Sequence, residues 1–209
     1  MFSRTIDFFE KYPSVVSLFV ANIITIFFAF LFNWGVLDLM LIYIIQSIII
    51  GFFSFLKILL VSIKSSGTNA VLGVFVSFWF LLIHICVHVA YASFIISIAP
   101  DSLVVTNSLM ELNASSIGFF IAVLAFFINH LFSFVYYSKK ATFSLSKINR
   151  LIDNLCARII PIHITILLGA IFLSYHVLDY FFLLVFMLSK TMVDLKTHKN
   201  EHKNELVSL

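Results

Sequence analysis

The chain has 209 residues, of which 62% are apolar and only 11% charged, with 26 Phe and a net charge of +3. Mean hydropathy is +1.11. A soluble domain is nearer half apolar and a quarter charged, so 13 Lys and Arg with 10 Asp and Glu cannot cover this much apolar surface in water. A soluble enzyme, a nucleic-acid binder and a disordered tail are excluded, and a polytopic membrane helix bundle is expected, with the lipid bilayer as its surroundings and no nucleic-acid partner.

Stretches of at least about 18 uncharged residues read as spans, because about 20 helical residues cross the hydrocarbon core. The first is expected over 14–32, entered through Pro13 and retained as a span, since no small-residue cleavage site follows it. The second covers 39–63 and is interrupted only by Lys57 near its end. The third, 70–99, stops at Pro100. The fourth covers 117–138. A last apolar run is too long for one helix and divides near Asp179 into spans over 159–177 and 180–197. Period-2 alternation is absent, which disfavours strands.

Charge placement supports six spans in one integral domain, 1–209. With that count, every Lys and Arg falls on one side or in a helix end approaching it, while the other side holds Asp38, Asp101, Glu111 and Asp179. The positive-inside rule then places both termini in the cytoplasm, as a multi-pass protein of the cytoplasmic (inner) membrane. Cys86 and Cys156 lack metal or redox spacing. Asn113-Ala-Ser is a sequon best explained by chance, and the basic loop 139–158 is best explained as a topology determinant.

An ionised side chain at mid-bilayer costs roughly 2.5–3.5 kcal/mol on the mildest insertion scale. Polar residues within the spans are therefore the candidate site. His84 and His88 share a face of the third helix, four residues apart. Lys190, Asp194, His198 and His202 recur every fourth residue on the last, with Glu201 beside them. Arg158 and His163 open the fifth span, and Gly169 there permits close helix approach. Tyr43, Gln46, Gly51, Ser54 and Lys57 lie on the second, where Gln46 reads as interhelical hydrogen-bonding glue. Depth divides these into a cytoplasmic-half group (Ser54, Lys57, His163, Lys190, Asp194, His198) and a mid-to-outer group (Gln46, His84, His88).

The run Tyr43-Ile-Ile-Gln46 through Gly51 to Lys57, and the run Arg158, His163, Gly169, Lys190, Asp194, His198, Glu201, His202, resemble a bacterial and archaeal membrane family catalogued as domain of unknown function 6498. The matching stretches, Tyr43–Lys57 and Arg158–His202, cover 60 of the 209 residues. The resemblance implies a multi-pass membrane protein and brings no established reaction. Gln46 stands where the family has an acidic residue. Phe80 stands where it has the first of two third-helix histidines, with His88 in the second place.

Three functions compete, with the first expected and the other two as alternatives. An intramembrane metal-dependent enzyme of the lipid-hydrolase type would hold zinc on His163, Asp194 and His198, with Lys190 or Arg158 beside an anionic headgroup. A proton-coupled or small-solute transporter would use the same titratable groups as a relay, taking a lipid or small molecule as its ligand. A structural or accessory subunit would use them only to fix helix register. Gln46, Lys57, His84, His88, Glu201 and His202 are the secondary candidates.

Overall fold

A computed structural model describes residues 13–98 and 113–140 and, beyond them, 152–153, 159–160, 163–164, 166–169, 187–193 and 196. Four helices are complete within this range: α1 (Pro13–Leu31), α2 (Val36–Ile63), α3 (Thr68–Ile98) and α4 (Ala114–Lys140). The remaining described pieces are also helical, and no strand occurs among the described residues. α2, α3 and α4 are each long and apolar enough to cross a membrane, while α1 carries a shorter apolar stretch, Val16–Leu31. These are the helices of a membrane protein. The expected fifth and sixth spans, 159–177 and 180–197, lie largely outside the described residues.

Polar residues set the helix ends. α1 stops at Asn33, whose φ of 51° is the left-handed conformation that Asn tolerates better than most side chains. Trp34 N–H then closes back onto the Ala29 carbonyl at 2.9 Å. Gly35 caps the start of α2, and its backbone N–H donates to Asp38 Oδ2 at 2.9 Å, satisfying a donor at the helix entrance. Asn113 opens α4 reciprocally with Ser116: the Ser116 N–H donates to Asn113 Oδ1 at 2.8 Å, and the Asn113 N–H to Ser116 Oγ at 3.1 Å. Within the helices, Thr25, Ser62 and Thr191 donate their hydroxyls to the carbonyl four residues back, so these groups are satisfied without a partner helix.

α2 is the centre of the bundle. It packs against both α3 and α4, and α1 packs against α4. Of the most apolar stretch of α2, 56% is buried, against 17% for α3, which puts α3 at the periphery. The outward side of α3 presents Phe75, Phe78, Trp79, Leu82 and Ile83. An apolar surface of this extent suits acyl chains rather than water. Inward, Trp34, Met40, Tyr43, Phe119, Ile166 and Met187 belong to one buried cluster that ties α2 and α4 to the helical residues near 166 and 187. Leu18, Ala21, Ile49, Phe53 and Phe126 form a second, joining α1, α2 and α4.

Candidate functional site

The buried face of α2 carries two polar neighbourhoods side by side. At about 100° per residue, Tyr43 and Gln46 lie about 60° apart, so both address one neighbour. Ser47 and Gly51 turn toward the adjacent sector. The first sector meets Lys190 and the second meets His84.

Lys190 is 3% exposed. Its ammonium donates to Gln46 Oε1 on α2 and to Asn22 Oδ1 on α1, the latter at 3.4 Å. It also lies 4.7 Å from the centroid of the Tyr43 ring and 5.3 Å from that of Phe126, positions where aromatic quadrupoles attract a cation. Asn22 is oriented for this contact because its Nδ2 donates to the Leu18 carbonyl at 2.9 Å, leaving Oδ1 as the acceptor. Four segments (α1, α2, α4 and 187–193) therefore converge on one buried amine.

The second neighbourhood is a column of rings on α3. Phe80, His84, His88 and Tyr91 recur at helical spacing; successive centroids lie 5.6, 4.2 and 6.2 Å apart. Tyr91 continues the column to His163 at 5.0 Å in an edge-on contact. His84 Nε2 hydrogen-bonds with the Ser47 carbonyl at 3.2 Å, and His88 Nδ1 with the His84 carbonyl at 2.7 Å. The imidazole of His84 reaches α2 only because position 51 is glycine: a β-carbon there would overlap the ring. Gly169 plays the same part beyond His163, where a β-carbon would stand 2.9 Å from Met40 Sδ. Among the described residues, the buried nitrogens His88 Nε2 and His163 Nδ1 have no hydrogen-bond partner.

A third polar cluster lies farther along α2 and α4. Lys57 Nζ donates to Ser133 Oγ at 3.5 Å, and both residues are buried. His130 stacks on Phe53 with centroids 6.4 Å apart.

These contacts join members of the two groups expected from depth. Lys190 meets Gln46, and His163 meets Tyr91 at the His88 end of the α3 column. Lys57 meets Ser133. Gln46 does act as interhelical glue, and its partner is the candidate lysine itself. Asn22, Asn129, His130 and Ser133 were missing from the sequence-based site. Their signal was available: each is a polar side chain inside a long apolar run. Of the expected zinc ligands only His163 is described; Arg158, Asp194, His198, Glu201 and His202 lie outside the described residues. Among the described residues, no three His, Cys, Asp or Glu side chains are grouped to hold a metal ion.

The model of a family of unknown function, DUF6498, matches residues 9–208. The chain belongs to that family. Tyr43, Gln46, Lys57, His163, Gly169 and Lys190, which prompted the resemblance, all fall within the matched region of this DUF6498 protein. No curated protein and no solved structure matches it.

Proposed function

We propose that this protein is a proton-coupled carrier of a small solute: a single six-span domain of the cytoplasmic membrane, with both termini in the cytoplasm. The observation that carries the reading is the buried Lys190 ammonium, enclosed by Gln46, Asn22, Tyr43 and Phe126 from three other helices. Ionisable groups are expensive inside a bilayer, and those facing a bundle interior mark ion or proton pathways. The His84–His88–Tyr91–His163 column, whose His84 lies against the adjacent sector of α2, supplies further titratable groups within the same bundle. In this reading Lys190 is the coupling charge, Gln46 and Asn22 position it, and the histidines pass protons. The test is proton uptake into vesicles containing the purified chain and a pH-sensitive dye. Uptake above that of empty vesicles, lost in Lys190→Met, supports the carrier; equal uptake by Lys190→Met removes it.

One observation favours the metal-dependent hydrolase as a second reading. His163 Nδ1 is buried with no partner among the described residues, as a nitrogen reserved for a ligand would be. Zinc held there with Asp194 and His198 would activate a water for attack, with Lys190 or Arg158 toward a lipid headgroup. Purified full-length chain with stoichiometric zinc that is lost in His163→Ala supports this reading. Zinc content unchanged by that substitution removes His163 from the set.

A further inference from the structure

Asn129 on α4 is fully buried, and among the described residues neither its Nδ2 nor its Oδ1 has a hydrogen-bond partner. Each unmade bond costs about 1–3 kcal/mol, and more where lipid rather than water surrounds the bundle. The contrast with Asn22 is instructive. That residue donates to the carbonyl four residues back and accepts from Lys190, so both ends of its amide are used. Asn129 could turn back onto its own helix in the same way and does not.

Its neighbours on α4 tell what it faces. One turn earlier, the Phe126 ring lies 5.3 Å from the Lys190 ammonium. One turn later, Ser133 Oγ accepts from the Lys57 ammonium at 3.5 Å. At 1.5 Å per residue these two positions are about 10 Å apart along the helix axis, and Asn129 stands between them. Lys57 and Lys190 are 6% and 3% exposed. Leu18, Ala21, Ile49, Phe53 and Phe126 form the buried apolar cluster of this region, so the local dielectric is low.

We propose that Asn129 is the binding site for a small soluble anion, of the chloride, carboxylate or phosphate class, held between Lys57 and Lys190. An amide N–H2 donates to an anion, and the amide oxygen accepts from its hydration water or its own hydroxyl. Two flanking ammonium groups attract an anion and repel a cation, strongly so in an apolar surround. Asn129, Lys57 and Lys190 are all buried within the bundle, which favours a small soluble anion over a lipid headgroup that must keep its acyl chains outside. The proposal rests on the carrier reading in that it names the solute; its test is a binding measurement, independent of transport.

Detergent-solubilised full-length chain is dialysed to equilibrium against radiolabelled chloride, acetate or inorganic phosphate, one at a time. At least one should bind saturably. Asn129→Leu keeps the branched outline of the side chain and removes the amide, so affinity should fall roughly tenfold or more, while the thermal unfolding midpoint stays level or rises. Asn129→Asp places a carboxylate between the two ammonium groups and should abolish binding by repulsion. Absence of saturable binding for all three anions, or Asn129→Leu binding as wild type, overturns the assignment. Proton uptake into vesicles is measured alongside: uptake without anion binding overturns the anion site and keeps the carrier, whereas binding without uptake supports the site and overturns the carrier.

Discussion

His84 lays the edge of its imidazole against the backbone of α2 at Gly51, where a β-carbon would overlap Nε2, Cδ2 and Cε1 of the ring. The ring is fixed from three directions: by the Ser47 carbonyl, by Phe80 and by His88. It therefore cannot turn aside without breaking one of them. Gly51→Ala should destabilise the protein by about 1–3 kcal/mol, the usual cost of overpacking. Adding His84→Ala should recover most of that loss. Unfolding of the four variants in detergent gives the coupling, and additive effects would contradict the contact.

Lys190 and Gln46 should respond unequally to removal. Gln46→Leu leaves a buried ammonium short of one acceptor and should cost about 1.5–3 kcal/mol, the range for hydrogen bonds to charged groups. Lys190→Met replaces the charge with an apolar chain of similar length and should be neutral or stabilising, since buried charges are often less stable than apolar replacements. The double variant should be more stable than Gln46→Leu alone. Chemical unfolding in one detergent measures all three.

Gly169 holds the helical residues 166–169 against Met40 and Val36 of α2. Ala should be tolerated at a cost below about 1 kcal/mol because the Met40 thioether is flexible. Val should cost about 2 kcal/mol and should move His163 away from Tyr91. Met40→Ala added to Gly169→Val should restore stability, and an unchanged penalty would argue against this packing.

The two tryptophans test which surfaces meet lipid. Trp34 is 4% exposed and donates to Ser115 Oγ at 3.0 Å, while Trp79 is 55% exposed on α3 and stacked on Phe75. In bilayers containing brominated acyl chains, a Trp34→Phe variant, which retains only Trp79, should be strongly quenched. A Trp79→Phe variant should be quenched little. The reverse order would contradict the inward and outward faces assigned here.

The first four helices were legible in the sequence and their ends less so. Hydropathy placed the second helix at 39–63 and the fourth at 117–138, whereas α2 starts at Val36 and α4 at Ala114. Both starts lie in capping turns built by Gly35 with Asp38 and by Asn113 with Ser116, residues that an apolar count passes over. Lys190 stood out because a lysine inside an apolar run is costly wherever it goes. Its partners did not, because Gln46 and Asn22 lie 144 and 168 positions away and sequence depth says nothing about rotation between helices. Asn129 carries the same signal as Gln46, a polar side chain inside a long apolar run, and its neighbours again depend on helix rotation that the sequence does not give.

The account depends most on the Lys190 ammonium meeting Gln46 inside the bundle. Magic-angle-spinning NMR on the full-length chain in lipid, with 15N in lysine and 13C in glutamine, reads that meeting directly. A through-space correlation between a lysine Nζ and a glutamine side-chain Cδ, absent in both Lys190→Met and Gln46→Leu, is the expected result. A Lys190 Nζ that correlates instead with lipid acyl or headgroup carbons would place the amine on the outer surface and contradict the account.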